Sequence, residues 1–432
     1  MVPHLSTAHN GPMLEFEKKI IEATPAIERW FRMEWQEHTP PFYCSVDMRN
    51  SGCKLAPVDT NLFPAGFNHL APEMLPLAVQ ASMAAIEKYC PDARNLLLVP
   101  GSCNRSASYL QNIASQIQIY QQIGLNVRLG SIDSSITTPT KISLLDGSEL
   151  LFEPLERSAN GRRVGLPNFD PCIVLLNNDL SEGIPAILED LNEQTLLPPL
   201  HAGWAVRRKT NHFANYDDIV KKFAKMVDID PWMINPFHAK CTDVNFEDGT
   251  GLDTLASTVS SILSKIRKKY KEYGIKEKPF VIVKSDAGTC GMGIMTVRDA
   301  NEVHSLNEKQ RSKMSVIKAG LAVRDYIVQE GIYTFEHFDE TVAEPVVYMI
   351  DRFVVGGFYR VHKDRGIDEN LNAPGMEFVP LAFAQQHAVP DRKAKPGTAV
   401  PNRFYMYGVV ARLALLAAAI ELEKTDPNPE IY

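Results

Sequence analysis

PFVIVKSDAGTCGMGIMTV, residues 279–297, is the stretch on which the fold of this chain turns. A β-branched run, Val281 to Val283, delivers Lys284. Gly288, Gly291 and Gly293 follow within nine positions, and Ile294 to Val297 returns to a strand pattern. Glycines let backbone N–H groups approach an anion with no Cβ in the way, and a nearby lysine adds a mobile positive charge. Two familiar phosphate loops are excluded by order. A Walker A loop ends in Gly-Lys-Ser/Thr, and a dinucleotide fingerprint uses its third glycine to open a helix. Here the lysine comes first and a strand follows. The order predicts a glycine-rich hairpin folded over phosphate groups; a purely structural glycine hairpin is the alternative.

Outward from this hairpin, Leu255, Val259, Ile262, Ile266 and Tyr270 recur at helical spacing. The basic run KIRKKYKEYGIKEK at 265–278 is therefore the solvated face and exit of a helix. Downstream, IVQEGI (327–332) and PVVYMIDRFVVGGFYRVH (345–362) are strands, the second pair joined through Asp351 and Arg352. Upstream, NLLLVPG (95–101), SASYLQNIASQIQIYQQIG (106–124) and NVRLGSI (126–132) spell strand, helix, strand, which implies a parallel pair and an α/β layer. KISLLDGSELLFE (141–153) carries Asp-Gly between alternating apolar residues and predicts a hairpin. CIVLLNNDLS (172–181) is a further strand, and GIPAILEDLN (183–192) is expected to follow as a helix. Residues 13–38 predict one helix. The turn-rich segment 42–70 is expected as a long surface loop, yet it carries Asp47, Arg49, Lys54, Asp59, Asn61 and Asn68; such loops often hold binding groups. The chain divides into an N-terminal α/β domain, 1–200, and a second unit, 201–432.

Composition narrows the function. With 432 residues, 45% hydrophobic and 22% charged, the chain is an ordinary globular protein, and length alone suggests about three domains. A net charge of -7 argues against a nucleic-acid partner, whose binding needs a basic surface. The seven cysteines are odd in number and widely spaced, without a CxxC, which points to reduced thiols in the cytoplasm. The start, MVPHLSTAHNGPMLEF, lacks the charged and apolar segments of a secretion signal. YMYGVVARLALLAAAIEL (405–422) is interrupted by Arg412 and rich in alanine, so a buried helix is expected rather than a membrane span. The eleven histidines do not cluster at ligand spacing. Gly101-Ser102-Cys103 lacks the second glycine of a nucleophile elbow.

Lys284 with its glycine hairpin resembles the ATP-grasp core, in which a strand lysine and a flexible loop clamp ATP. VPGSCNRSASYLQNIASQIQIYQQIGLNVRLGSID (99–133), APVDTNLFPAGFNHL (56–70) and IVKSDAGTCGMGIMTV (282–297) together resemble the proteobacterial glutamate–cysteine ligase family, over nearly the whole chain. The resemblance implies an ATP-grasp-like C-terminal unit under a pre-ATP-grasp-like α/β domain. It also implies L-glutamate, L-cysteine, ATP and Mg²⁺ as ligands, and γ-glutamylcysteine, ADP and phosphate as products, in the first step of glutathione biosynthesis. No cysteine nucleophile is required.

By position, Lys209, within Arg207–Asn211, matches the first ATP lysine. Gln329 and Glu330 match the adenine hinge, and Lys284, Gly288, Gly291 and Gly293 match the phosphate clamp. Arg360 is the candidate to hold the transferring phosphoryl group. The chain departs from the usual late Asp and Glu-x-Asn metal strand, which leaves Asn370, Asn372, Glu344 and Asp351 as candidate magnesium ligands. Arg49, Lys54 and Arg105 are candidates for substrate carboxylates, since a planar guanidinium pairs bidentately. Two alternatives stay open: a carboxylate–amine ligase for other amino acids, and a nucleotide-binding regulator without turnover.

Overall fold

Val281–Ser285 lies between two antiparallel neighbours, Ile294–Val297 and Tyr326–Glu330, and His238–Cys241 completes a four-stranded sheet. The computed structural model describes residues 5–6, 11–101, 106–288, 293–315, 317–318, 321–380 and 404–427. Lys284 stands opposite Ile294, and Val281 opposite Val297, so the glycine segment does join two arms of a hairpin. Because strand side chains alternate faces, Val281, Val283, Tyr326, Val328 and Val297 point one way. They pack on Leu255, Val259, Ile262 and Ile266 of the helix Leu252–Tyr273. Lys265, Arg267, Lys268 and Lys271 of that helix are exposed, as the solvated-face reading requires. The opposite face presents Ile282, Lys284, Gln329 and Ile294 to a cavity.

A seven-stranded sheet supplies the other side of the cavity. The segment 42–70, expected as a surface loop, instead begins with a hairpin, Tyr43–Asn50 and Leu55–Asn61. Its first strand pairs antiparallel with Thr341–Ile350, which on its other edge pairs with Phe353–His362 and, beyond that, Glu377–Pro380. Cys44, Val46, Met48 and Leu55 bury against the core, while Asp47 and Arg49 face the cavity. The first strand does alternate, Cys44, Val46 and Met48 against Ser45, Asp47 and Arg49, but the turn-forming residues that follow it make the whole segment read as a loop. The sheet thus joins strands from both sides of residue 200.

Within 1–200, Asn95–Pro100, Asn126–Ser131 and Ile173–Asn177 are parallel, and Thr140–Ser143 with Glu149–Pro154 forms the expected hairpin in the same six-stranded sheet. The helix Ala107–Gln122 starts at Ser106, whose hydroxyl accepts a hydrogen bond from the Tyr109 N–H. The helix expected at 183–192 is a single turn, Ala186–Leu188, because Pro185 precedes it and Asp190 takes a left-handed φ of 57°. Residues 13–38 are two helices, Gly11–Glu22 and Thr24–Glu37, divided at Ala23 just before Pro25, whose ring removes an N–H donor.

The helix Phe404–Thr425 is long and apolar enough to cross a membrane, but 83% of its most apolar window is buried inside the protein. It packs against the seven-stranded sheet, chiefly strand Leu55–Asn61, and the helix Lys209–Val227. Its one fully buried charge, Glu421, accepts Arg207 Nη2 at 2.9 Å and Nε at 3.1 Å, and Arg207 Nη1 donates to the Thr60 carbonyl at 2.9 Å. His212 Nδ1 lies 3.3 Å from the same carboxylate, and burial holds the imidazole below its usual pKa. Truncating one member of a buried pair strands the other's charge, which costs about 3–5 kcal/mol. Arg207→Ala is accordingly expected to lose that much stability in urea unfolding at pH 7; a loss below about 1 kcal/mol would contradict a desolvated pair.

Candidate functional site

The cavity lies between the two sheets. Ile282, Gln329 and Ile332 line it at one end, with Lys284 two strand positions, about 7 Å, further along. Around Lys284 the wall becomes charged: Lys209, Asp59, Asp47, Arg49, Glu344 and Arg360. Gly288 and Gly293, at the two ends of the glycine loop, have φ of 91° and 62°, a region that L side chains rarely enter. Gly288 lines the cavity.

Each charge has a specific holder. Lys284 Nζ donates to the Val58 carbonyl at 2.7 Å. Burial pulls its pKa down to about 8, with Asp59 opposing the fall and Lys209 adding to it. Lys209 Nζ pairs with Asp59 at 2.8 Å and sits 4.1 Å over the Trp204 ring. The first turn of its helix is fixed by Asp286, whose carboxylate accepts from Thr210 N and Oγ1 at 2.8 Å each, and whose carbonyl accepts from Lys209 N. Arg360 Nη1 bridges Asp47 at 2.9 Å and Glu344 at 2.6 Å. The second oxygen of Glu344 accepts Arg49 Nε at 3.0 Å, and Arg49 Nη1 donates to the Ile332 carbonyl. Burial pushes the Asp47 carboxyl above its usual range, against the pull of Arg360.

Of the residues singled out from sequence, Lys284, Lys209, Gly288, Gln329, Glu330, Glu344, Arg360, Asn370, Asn372 and Arg49 all line this cavity. Arg105 and Gly291 lie outside the described residues. Three expectations change. Lys54 does not reach the cavity as a substrate group; it is buried, 2.7 Å from Glu330 and over the Trp232 ring. Glu330 is on the cavity wall, but its carboxylate is engaged by Lys54, Trp232 Nε1 and the Phe237 N–H. Asp351 occupies the turn between two long strands, beside Lys88. Seven strand positions separate it from Glu344, about 23 Å, so the two cannot share one ion. Asp286 and the apolar wall of Val58, Ile282, Ile294 and Ile332 went unassigned from sequence. The Asp47-x-Arg49 spacing, two charges on one strand face, was the readable signal for the other side of the cavity.

Among the described residues no three His, Cys, Asp or Glu side chains converge as a metal cluster. The oxygen donors Glu344, Asn370 and Asn372 on one cavity wall nevertheless suit a hard cation that takes most of its ligands from phosphates and water. Asn370 Oδ1 accepts the Asn372 N–H at 3.0 Å, which fixes the 370–372 turn.

An apolar slot leading to buried cations and arginine-held carboxylates suits an anionic ligand with an apolar end. The glutamate-cysteine ligase family model (GshA) matches residues 17–422. The chain belongs to the glutamate–cysteine ligase family, whose members join glutamate to cysteine at the expense of ATP. It is similar, at 58% identity and a TM-score of 0.91, to a Methylobacillus flagellatus KT protein of known structure provisionally named gamma-glutamylcysteine synthetase. The match covers 99% of this chain and 100% of that one. A glutathione synthetase-like effector of Globodera pallida (GSS30) matches at 10% identity and a TM-score of 0.41, over 85% and 84% of the two chains. D-alanyl-alanine synthetase A of Vibrio cholerae matches at 10% identity and 0.29, over 62% and 67%. No curated protein matches significantly.

The geometry yields a direct check on Lys284. Only a neutral amine is nucleophilic, so the pH profile of its acylation should have its midpoint near pH 8, while those of exposed lysines have theirs near pH 10. Competitive labelling with acetic anhydride, read by mass spectrometry, measures this; a midpoint near 10 would refute the desolvated setting.

Proposed function

We propose that the cavity binds ATP with its base against Ile282, Ile332 and Gln329 and its phosphates on Lys284, Lys209 and the glycine loop. What carries the reading is one juxtaposition: two buried lysines face a chain of Asp47, Arg360, Glu344 and Arg49 across a single crevice. Gln329 supports it, since its buried Nε2 has no partner among the described residues and the residue lines the end assigned to the base.

A carboxylate is a poor electrophile, so the reaction divides in two. An oxygen of the glutamate γ-carboxylate attacks the terminal phosphorus and ADP leaves, giving a γ-glutamyl phosphate. The cysteine amine then attacks the acyl carbon, loses a proton, and expels phosphate to leave γ-glutamylcysteine. Such transfer depends on positioning and charge stabilisation rather than on a protein nucleophile. Lys284 and Arg360 flank the transferring group, Lys209 steadies the outer phosphates, and Arg49 is placed for a substrate carboxylate once Glu344 turns. Glu344, Asn370 and Asn372 would hold Mg²⁺, which neutralises charge on the phosphates when bound. The segment 1–200 contributes the Asp47 and Arg49 side of the crevice. The five described cysteines are free, as suits work in the reducing cytoplasm.

Lys284→Ala is expected to lower turnover about 10²–10³-fold while leaving the fold intact; near-normal turnover by folded protein would remove Lys284 from the phosphate site. The acceptor reacts through its amine, so 2-aminobutyrate, with a methyl in place of the thiol, should still be ligated, with discrimination of about 10–200-fold. Mass spectrometry should find a γ-linked dipeptide with a free glutamate α-amine. An α-linked product, or ligation of neither acceptor, would overturn the route.

A further inference from the structure

We infer that Asp59 is a positioning residue, a placeholder anion that pairs with Lys209, keeps the neighbouring Lys284 charged at the cavity wall in the free protein, and yields to the nucleotide phosphates. The inference rests on the nucleotide reading above.

Both lysines are held by one dipeptide. Lys209 meets the Asp59 carboxylate at 2.8 Å, and Lys284 meets the carbonyl of Val58 at 2.7 Å. The strand is irregular at this point: Asp47 is opposite Asp59 but Met48 is opposite Pro57, so Val58 is the extra residue of a bulge. A bulge releases its residue from the ladder and re-aims it, which leaves the Val58 carbonyl free to turn to Lys284. The next residue is pinned from behind, since Arg207, clamped by Glu421, donates to the Thr60 carbonyl. The anion is therefore rigidly mounted.

It is also replaceable. The Lys209 side chain is 6% exposed, whereas that of Asp59 is 36% exposed and lines the cavity. A phosphate oxygen arriving from the cavity approaches the Lys209 ammonium that Asp59 engages and the Lys284 ammonium that the Val58 carbonyl holds. Two buried ammonium groups side by side repel, and each lowers the other's hold on its proton. The charges acting on Lys284 are Asp59 and Lys209, then Asp47 and Arg49, the last two largely matched through Arg360 and Glu344. Asp286, at the end of the same strand, is engaged by Thr210. Asp59 is thus the main local anion keeping the pair protonated, and also the phosphate's competitor.

These two roles pull in opposite directions, and pH separates them. The test measures metal-free ATP binding by calorimetry, in chelator, from pH 6 to pH 9, for wild type, Asp59→Asn and Lys284→Ala. The readout is the ratio of variant to wild-type affinity, in which the nucleotide's own titration cancels. At pH 6 both lysines are protonated in either protein, the competitor is gone, and Asp59→Asn should bind about 3-fold more tightly. Near pH 8.5 its Lys284 should have lost its proton about one pH unit earlier than in wild type, which lowers the ratio by up to about 10-fold, from about 3 to about one-third. Asp59→Glu, which keeps the charge, should follow the wild-type profile. A ratio that stays constant across pH, whatever its size, overturns the placeholder role. If Lys284→Ala binds ATP as well as wild type, the nucleotide site itself is misassigned and the role falls with it.

Discussion

Four cations, Lys209, Lys284, Arg49 and Arg360, line one largely buried crevice, and the need to keep them there shapes the surrounding fold. Like charges a few ångströms apart in a medium of low dielectric repel by several kcal/mol. They persist together because Asp59, Asp47 and Glu344 are interleaved with them. Adjacent strands give this interleaving directly: Glu344 stands opposite Arg360, whose guanidinium also reaches Asp47 on the strand beyond. Cross-strand neighbours lie about 5 Å apart with fixed orientation. A surface loop could not hold the same groups in register, which is the physical reason for hairpin 43–61 to be part of the sheet.

A second tier of buried charge ties the elements around the crevice together. Arg207 with Glu421, Lys54 with Glu330, and Asp286 with the first turn of the helix Lys209–Val227 each fix one element against another. The first anchors the final helix to strand Leu55–Asn61. The second ties the turn of the hairpin to the strand Tyr326–Glu330, and the third aims Lys209. Such supports are what hold a charged site in place before substrate arrives, when reorganisation would otherwise consume much of the catalytic effect.

How much of this was legible in the sequence depended on whether a residue's neighbours were local. Lys284 and its glycines were readable because strand, loop and returning strand are contiguous, and their order excludes the other phosphate loops. The parallel strands at 95–131 were readable from period and helix length. The hairpin at 43–61 was less so: its first arm alternates Cys44, Val46 and Met48 with Ser45, Asp47 and Arg49, but the turn residues after Asn50 and Pro57 in the second arm read as loop. Lys54 and Asp351 were chosen by side-chain chemistry alone. Their true settings, a buried ion pair and a hairpin turn, depend on partners in distant segments that no local pattern encodes. Substrate identity came from long-range family likeness; Lys284 and the glycines would serve any ATP-dependent carboxylate ligase.

The pairing of hairpin 43–61 with strand Thr341–Ile350 has a consequence for biogenesis. Arg49 and its partner Glu344 are 295 residues apart in the chain. At about 5–20 residues per second, the hairpin waits roughly 15–60 s on the ribosome for its neighbour. During that interval an unpaired sheet edge and a set of uncompensated charges are open to solvent and to other nascent chains. The long helix that seals the core is made later still. Assembly of the crevice is therefore a late, nearly simultaneous event rather than the docking of two finished halves. Such long-range strand pairing folds slowly and exposes aggregation-prone edges, so recovery of native protein will depend on synthesis rate and chaperone supply more than on the stability of the finished fold.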